Sequence, residues 1–306
     1  MKEKQKVDHS SVSGCAMPVA ESTNASAIEI LKGVLTPVGG PIDLAPHNSA
    51  DPFTRVNPLS RIERGKKPAA PRILIYGTEG VGKSTVASKA PKPIFIQTED
   101  GLGQIDCAKF PLAKTFKEVM EYLEAIASAK HEYETIVIDS LDWLERIVWS
   151  EVCRRTNASN IEKVMGGFAK GYTAALDEWR QVIDVLDKCR SRGMVVILIA
   201  HSRIEKVEDP ETSNYDRHSP RLHKHAQALL VEWVDAALFA TKKMIVRKEG
   251  TGFDERGIAS PVGADGGERI LKCIGGPNVL AKNRYDLPSE IPLSWDALVG
   301  EISKSM

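Results

Sequence analysis

Eight consecutive residues constrain this chain more than anything else in it. They are Gly77-Thr78-Glu79-Gly80-Val81-Gly82-Lys83-Ser84, which fit G-x-x-x-x-G-K-[ST] at every fixed position. Glycines let the backbone turn with its amides facing inward, which makes a concave nest for anions. A helix beginning at the same point adds partial positive charge. The context agrees: Arg72–Tyr76 (RILIY) is a β-type run, and a short helix that must stop before Pro91 follows the loop. The expectation is a site for ATP and Mg²⁺ in which Gly77, Thr78, Glu79, Gly80, Val81, Gly82, Lys83, Ser84 and Thr85 wrap the phosphates. Lys83 neutralises the β and γ phosphates, and the Ser84 hydroxyl ligates Mg²⁺.

Beyond the loop, β-type and helical patterns alternate. Pro93–Gln97 (PIFIQ), Thr135–Asp139 (TIVID) and the nearly all-apolar Met194–Ala200 (MVVILIA) read as strands, the last as the middle of a parallel sheet. Thr115 and Glu118 make a capping-box pattern before a helix that aligns Val119, Met120, Leu123 and Ile126. Residues 154–172 break the pattern, 203–220 read as a long polar loop, and a helix near 220–233 precedes strands near 236–246, 269–274 and 279–281. The expected fold class is α/β, a P-loop nucleotide-binding core with helices on both faces of a mostly parallel sheet, spanning residues 71–306. Residues 1–70, rich in Ser, Pro, Asn and Gly, read as a largely disordered N-terminal arm, with Ala27–Val34 as a short helix or docking segment.

Three further side chains fall where a parallel sheet presents its ligand. Asp139 ends TIVID and is expected to hold Mg²⁺ with Ser84, an N-cap being its structural alternative. Ser140 follows it, so a base for the attacking water must come from elsewhere. Glu99, just after PIFIQ, is the candidate, ahead of Asp100 and Asp106. His201, just after MVVILIA, is a candidate γ-phosphate sensor, the alternative being a histidine satisfied by local hydrogen bonds.

Composition narrows the partners. The 306 residues carry 41 basic and 41 acidic side chains, so any nucleic-acid surface must be a local cluster. The five cysteines form no C-x-x-C pair, and reduced thiols in a cytosol are the simpler reading. No apolar run approaches the roughly 20 residues of a membrane span, and no signal-peptide apolar region follows Lys2, Lys4 and Lys6.

Taken together, YGTEGVGKST, FIQTEDGLGQID, TIVIDSLDWLE and VILIAHSRIEK resemble the RecA-like ATPases, in particular phage-encoded core-only recombinases and annealing-type AAA ATP-binding proteins. The likeness covers about residues 70–295. It implies the RecA-like subtype of P-loop NTPase fold, a catalytic role for Glu99 and a coupling role for His201. It also implies trans-acting cations, Lys282 and Arg284, that reach a neighbouring subunit's nucleotide in a ring or filament. Two loops would touch single-stranded DNA, through Arg154, Arg155, Lys170 and Tyr172 in the first and Arg203, Arg217, Arg221 and Lys224 in the second. A single-strand-binding protein is a further implied partner, and a phage or prophage gene expressed in a bacterial cytoplasm the implied setting. No separate oligomerisation domain is legible, and the residues after Trp295 are too few for a second DNA-binding domain. The leading expectation is a DNA-stimulated ATPase for recombination, annealing or replication. A nucleotide-switched protein scaffold and a P-loop small-molecule kinase stand as alternatives.

Overall fold

A computed structural model describes residues 58–209, 213–249, 256–263 and 267–305. Most of the expected N-terminal arm, including Ala27–Val34, lies outside the described residues, as do residues 210–212 of the expected polar loop.

The central sheet runs β12-β10-β7-β1-β5-β4-β2-β3. Its parallel part comprises β1 (Arg72–Gly77), β2 (Pro93–Gln97), β3 (Ala108–Lys109), β4 (Thr135–Asp139), β5 (Val195–Val207) and β7 (Ala236–Lys242). On the far side of β7, β10 (Arg269–Lys272) and β12 (Glu290–Pro292) pair antiparallel. The interior strands are buried on both faces, which is why their sequences are continuous apolar runs and not alternating ones. One face packs against α2 (Phe116–Ser128), α3 (Leu141–Thr156), α4 (Lys170–Ser191) and α5 (Lys224–Trp233). The other is covered by α1 (Lys83–Ala87) and α6 (Trp295–Ser305). This is the α/β P-loop NTPase architecture.

Order in the sheet places the chemistry. β5 lies between β1 and β4, so Gly77 and Asp139, which end β1 and β4, come beside His201, which was expected just past its strand but lies midway along β5, opposite Gly77. Gly77 is required there by packing, because a Cβ on it would lie 2.2 Å from the carbonyl oxygen of Ala240 on β7.

Several sequence expectations change. The polar loop at 203–220 is an antiparallel hairpin, β5 continuing to Val207 and returning as β6 (Tyr215–Pro220). Its charges read as loop, but Glu205 stands opposite Arg217 and also binds Arg203 and Ser219, so the polar side chains pair across the strands. The run near 236–246 is broken at Lys243 into β7 and β8 (Met244–Glu249), and β8 pairs with the unforeseen β9 (Arg256–Pro261). In place of a strand at 279–281, Val279 forms only isolated bridges and β11 is Lys282–Asn283. The break at 154–172 is partly helical: α3 runs to Thr156, a 3₁₀ segment kinked at Val164 and Met165 spans Ile161–Gly166, and the links on either side of it are irregular. The residues after Trp295 form α6, which buries Trp295, Leu298, Val299 and Ile302. Among the described residues no helix is long and apolar enough to cross a membrane.

Candidate nucleotide-binding site

The glycine loop leaves β1 and re-enters helix at Lys83, with Gly80 at φ 69° and Gly82 at φ 107°. At those angles a side chain would be strained, so the motif's glycines carry the turn. Lys83 is buried, and its Nζ donates to the carbonyls of Gly77 (3.1 Å) and Thr78 (2.8 Å). Burial lowers its pKa, while Asp139, Glu79, Asp142 and Glu99 oppose that shift. The ammonium is thus desolvated and held at the floor of the loop.

Ser84 Oγ donates to Asp139 Oδ2 at 2.5 Å, across the width of β5. Burial raises the pKa of Asp139. A hydroxyl and a carboxylate are hard oxygen donors of the kind Mg²⁺ takes, and a cation beside them would offset the cost of the buried charge. The sequence-assigned metal pair is therefore together in space. Thr98 Oγ1 donates to the Ser140 carbonyl (2.6 Å) and fixes the turn that follows Asp139.

Glu99 faces the same crevice. Its Oε2 accepts from Ser140 Oγ (2.9 Å) and lies 3.8 Å from His201 Nδ1. A hollow of about 340 Å³ is walled by Glu79, Gly80, Gly82, Lys83, Ser84, Thr85, Glu99, Asp139, His201 and Arg269, among others. Glycine loop, metal pair, Glu99 and His201, far apart in sequence, thus line one volume. A smaller hollow of about 180 Å³ shares Gly82, Thr85 and Arg269 with it and extends to Leu293 and Asp296.

Three residues of this neighbourhood were missed or placed elsewhere by sequence reasoning. Asp142, on the first turn of α3, is buried and accepts from the backbone N–H of His201 (3.1 Å) and from His201 Nδ1 (3.0 Å). With the carboxylate accepting, Nδ1 carries the hydrogen and Nε2 is left for the pocket. Arg221, expected on a DNA surface, is instead at the pocket's edge. Its Nη2 donates to Asp142 Oδ2 (2.8 Å) and its Nη1 to Glu79 Oε1 (3.2 Å). Burial alone would raise the pKa of Asp142, but the hydrogen bonds from His201 and Arg221 hold it well below the usual carboxylate range. Arg269 brings Nη1 to 3.1 Å from where a Gly82 Cβ would sit, so it overhangs the loop. Asp142 had one legible signal, a carboxylate three residues after Asp139; Arg221 and Arg269 had none. Ligand atoms of Glu99, Asp142 and His201 lie within 4.8 Å of one another. Since Arg221 already brings a cation to Asp142, the cluster is a hydrogen-bonded one.

The remaining assigned residues lie away from the crevice. Arg154 pairs with Glu151, Arg155 with the buried Glu178, and both Arg203 and Arg217 with Glu205. Each of these four guanidiniums has a carboxylate partner, so the two segments are charge-paired and not lined by unpaired cations alone. Lys170 and Lys224 are exposed, and Tyr172 stacks on His223 at 4.0 Å between ring centroids, joining the two segments. Phe168 stands 94% exposed in a run of left-handed residues. Lys282 and Arg284 sit at the opposite end of the parallel strands, beside the start of β7. Lys282 Nζ donates to the carbonyls of Val231 and Glu232, and Arg284 pairs with Asp235 at 3.2 Å. Neither can reach this chain's own glycine loop.

Residues 69–285 match the protein family described as AAA domain. The SPbeta prophage-derived uncharacterized protein YorG of Bacillus subtilis (strain 168) is 28% identical over 138 residues, 44% of this chain and 42% of that relative. The match thus spans less than half the length of that curated relative.

Proposed function

Since this chain belongs to the AAA domain family of P-loop ATPases, we propose that it binds Mg-ATP in the 340 Å³ crevice and hydrolyses it. The observation that carries the reading is the convergence of Lys83, the Ser84–Asp139 pair and Glu99 on that one volume. Lys83 sits where it neutralises the β and γ phosphates. The metal, when bound, neutralises phosphoryl oxygens through Ser84 and Asp139. Glu99, turned by Ser140 and beside His201, orients the attacking water and accepts its proton. Nucleoside and base leave the triphosphate past Thr85 and Arg269 into the smaller hollow, on the side away from Glu99 and His201.

The second half of the proposal is single-stranded DNA binding in phage-type recombination, annealing or replication. It is supported by the exposed Phe168 with Lys163 and Lys170 on one segment, and by the exposed Lys206 and Ile204 on the neighbouring hairpin. Aromatic stacking with a few cations is how single strands are held without base readout. The prophage origin of the similar protein agrees with the setting. The four guanidiniums already paired with carboxylates favour a second reading, in which the nucleotide switches a surface for a protein partner.

Phosphate release with and without single-stranded DNA, across a salt series, separates the two. DNA stimulation that fades steeply with salt is expected. Glu99→Gln should keep ATP binding and lose turnover by about 10²-fold or more, the usual scale for a general base. Turnover in Glu99→Gln equal to the unsubstituted protein would remove Glu99 from the mechanism. Turnover indifferent to DNA would favour the protein-partner reading.

A further inference from the structure

The β5–β6 hairpin and the nucleotide crevice meet at one side chain. Arg221 is the first residue after β6, so its position is set by the strand that returns from the hairpin tip. Its backbone N–H donates to the carbonyl of His201 at 2.8 Å, which ties the root of β6 to a pocket-lining residue. Its guanidinium then splits between two elements. Nη1 reaches Glu79 in the glycine loop, and Nη2 reaches Asp142 on α3. Asp142 in turn holds both the backbone and the ring of His201. One cation therefore joins hairpin, glycine loop and sensor histidine.

We propose that Arg221 is the positioning residue through which the nucleotide sets the pose of the β5–β6 hairpin. The inference rests on the crevice being the nucleotide site. The physical argument is competition for one guanidinium. Glu79 and Asp142 are carboxylates beside the volume that would receive a polyanion, and Arg221 is the cation bridging them. A γ-phosphoryl group arriving near Lys83 and His201 adds negative charge on the same side. The guanidinium is half exposed and therefore free to move toward that charge. Because Arg221 is covalently continuous with β6, its displacement is passed into an antiparallel pair of six residues a side. Such a pair moves as a unit about 20 Å long. Asp142 keeps the other end fixed, since its hydrogen bonds to His201 lie within one buried cluster. Two arrangements of one side chain, favoured differently by empty and filled sites, are what coupling requires.

Hydrogen–deuterium exchange on the full chain tests this without any assumption about what the hairpin binds. The probe is a non-hydrolysable Mg-ATP analogue. In the unsubstituted protein, peptides of the glycine loop should slow, and peptides covering 203–220 should change rate by about fivefold or more, the lower end of ordinary coupling. In Arg221→Ala the glycine loop should still slow while the hairpin change falls to within twofold. Arg221→Lys, which keeps a charge but not the two-armed fork, should restore part of the response. Asp142→Asn, which keeps the shape of the side chain, should also lose the hairpin response, and it serves should Arg221→Ala fold poorly. A hairpin that responds equally in Arg221→Ala, or does not respond in the unsubstituted protein although the glycine loop is protected, overturns the proposal. Absence of protection at the glycine loop itself would instead overturn the nucleotide reading on which the proposal stands.

Discussion

Among single residues, Glu145 ties stability to pH. It lies one turn beyond Asp142 on α3, is buried, and accepts the backbone N–H of His223 at 2.9 and 3.0 Å. Burial pushes its pKa from 4.5 up to about 7. An acid whose folded pKa is raised costs nothing while protonated, below pH about 4.5. The cost grows as pH rises through the interval to about 7, and is complete above it. Glu145→Gln removes the charge. Its stability relative to the unsubstituted protein should rise between pH 5 and pH 8, by up to about 3 kcal/mol for a shift of this size. Thermal melts at the two pH values measure it, and a stability difference independent of pH would refute the account. At this scale the sequence disclosed motif residues such as Lys83 and Ser84, because their chemistry is local to a few positions. It did not disclose Arg221 or Arg269, whose roles depend on distant segments arriving beside the loop.

Elements were legible where one periodicity held over a whole segment. The capping box at Thr115 forms as read, with Thr115 Oγ1 accepting from Glu118 and the Glu118 carboxylate accepting from Thr115. The all-apolar runs became interior strands. The hairpin was missed because Glu205 pairs across the strands with Arg217 and Ser219, a pairing that a linear reading scores as polar loop. α6 was passed over as a short tail, yet it closes the second core. Leu298 is fully buried there with Trp295 and Ile302. Leu298→Ala should lower stability by about 2–5 kcal/mol in urea unfolding, the range for emptying a buried leucine site. Glu301→Ala on the same helix should change it by less than about 0.5 kcal/mol, as surface substitutions do. Equal effects would mean that α6 does not pack as described.

For the whole molecule, the two ends of the parallel strands bear on whether a site can be shared between chains. Lys282 and Arg284 pair near the start of β7, beside Ala236, whereas the glycine loop lies beside Ala240. Four residues of strand separate these levels, about 13 Å. A phosphate-stabilising role for the two cations thus requires a second chain, stacked with that end of its strands on this crevice. Arg284 is half exposed and pairs with Asp235, which also holds Arg72 and Arg190. If sites are shared in this way, Arg284→Ala and Glu99→Gln should each be inactive alone. Mixing them should recover part of the ATPase rate, because some junctions then carry both intact residues. A mixture as inactive as its components would exclude the trans role.

Much of this protein follows from sequence alone, for a physical reason: a glycine turn before a helix, and apolar runs of strand length, are set by short-range sterics and periodicity. Those features determined the glycine loop, the parallel sheet, Asp139 at the end of β4 and Glu99 just past β2. Only the tertiary structure decided that β5 would lie between the strands of Gly77 and Asp139. Only it turned a polar stretch into a hairpin, set Lys282 and Arg284 at the far end of the parallel strands, and brought Arg221 from that hairpin onto Glu79 and Asp142. Strand order and ion pairing are settled by contacts between segments many residues apart, and no local pattern encodes them.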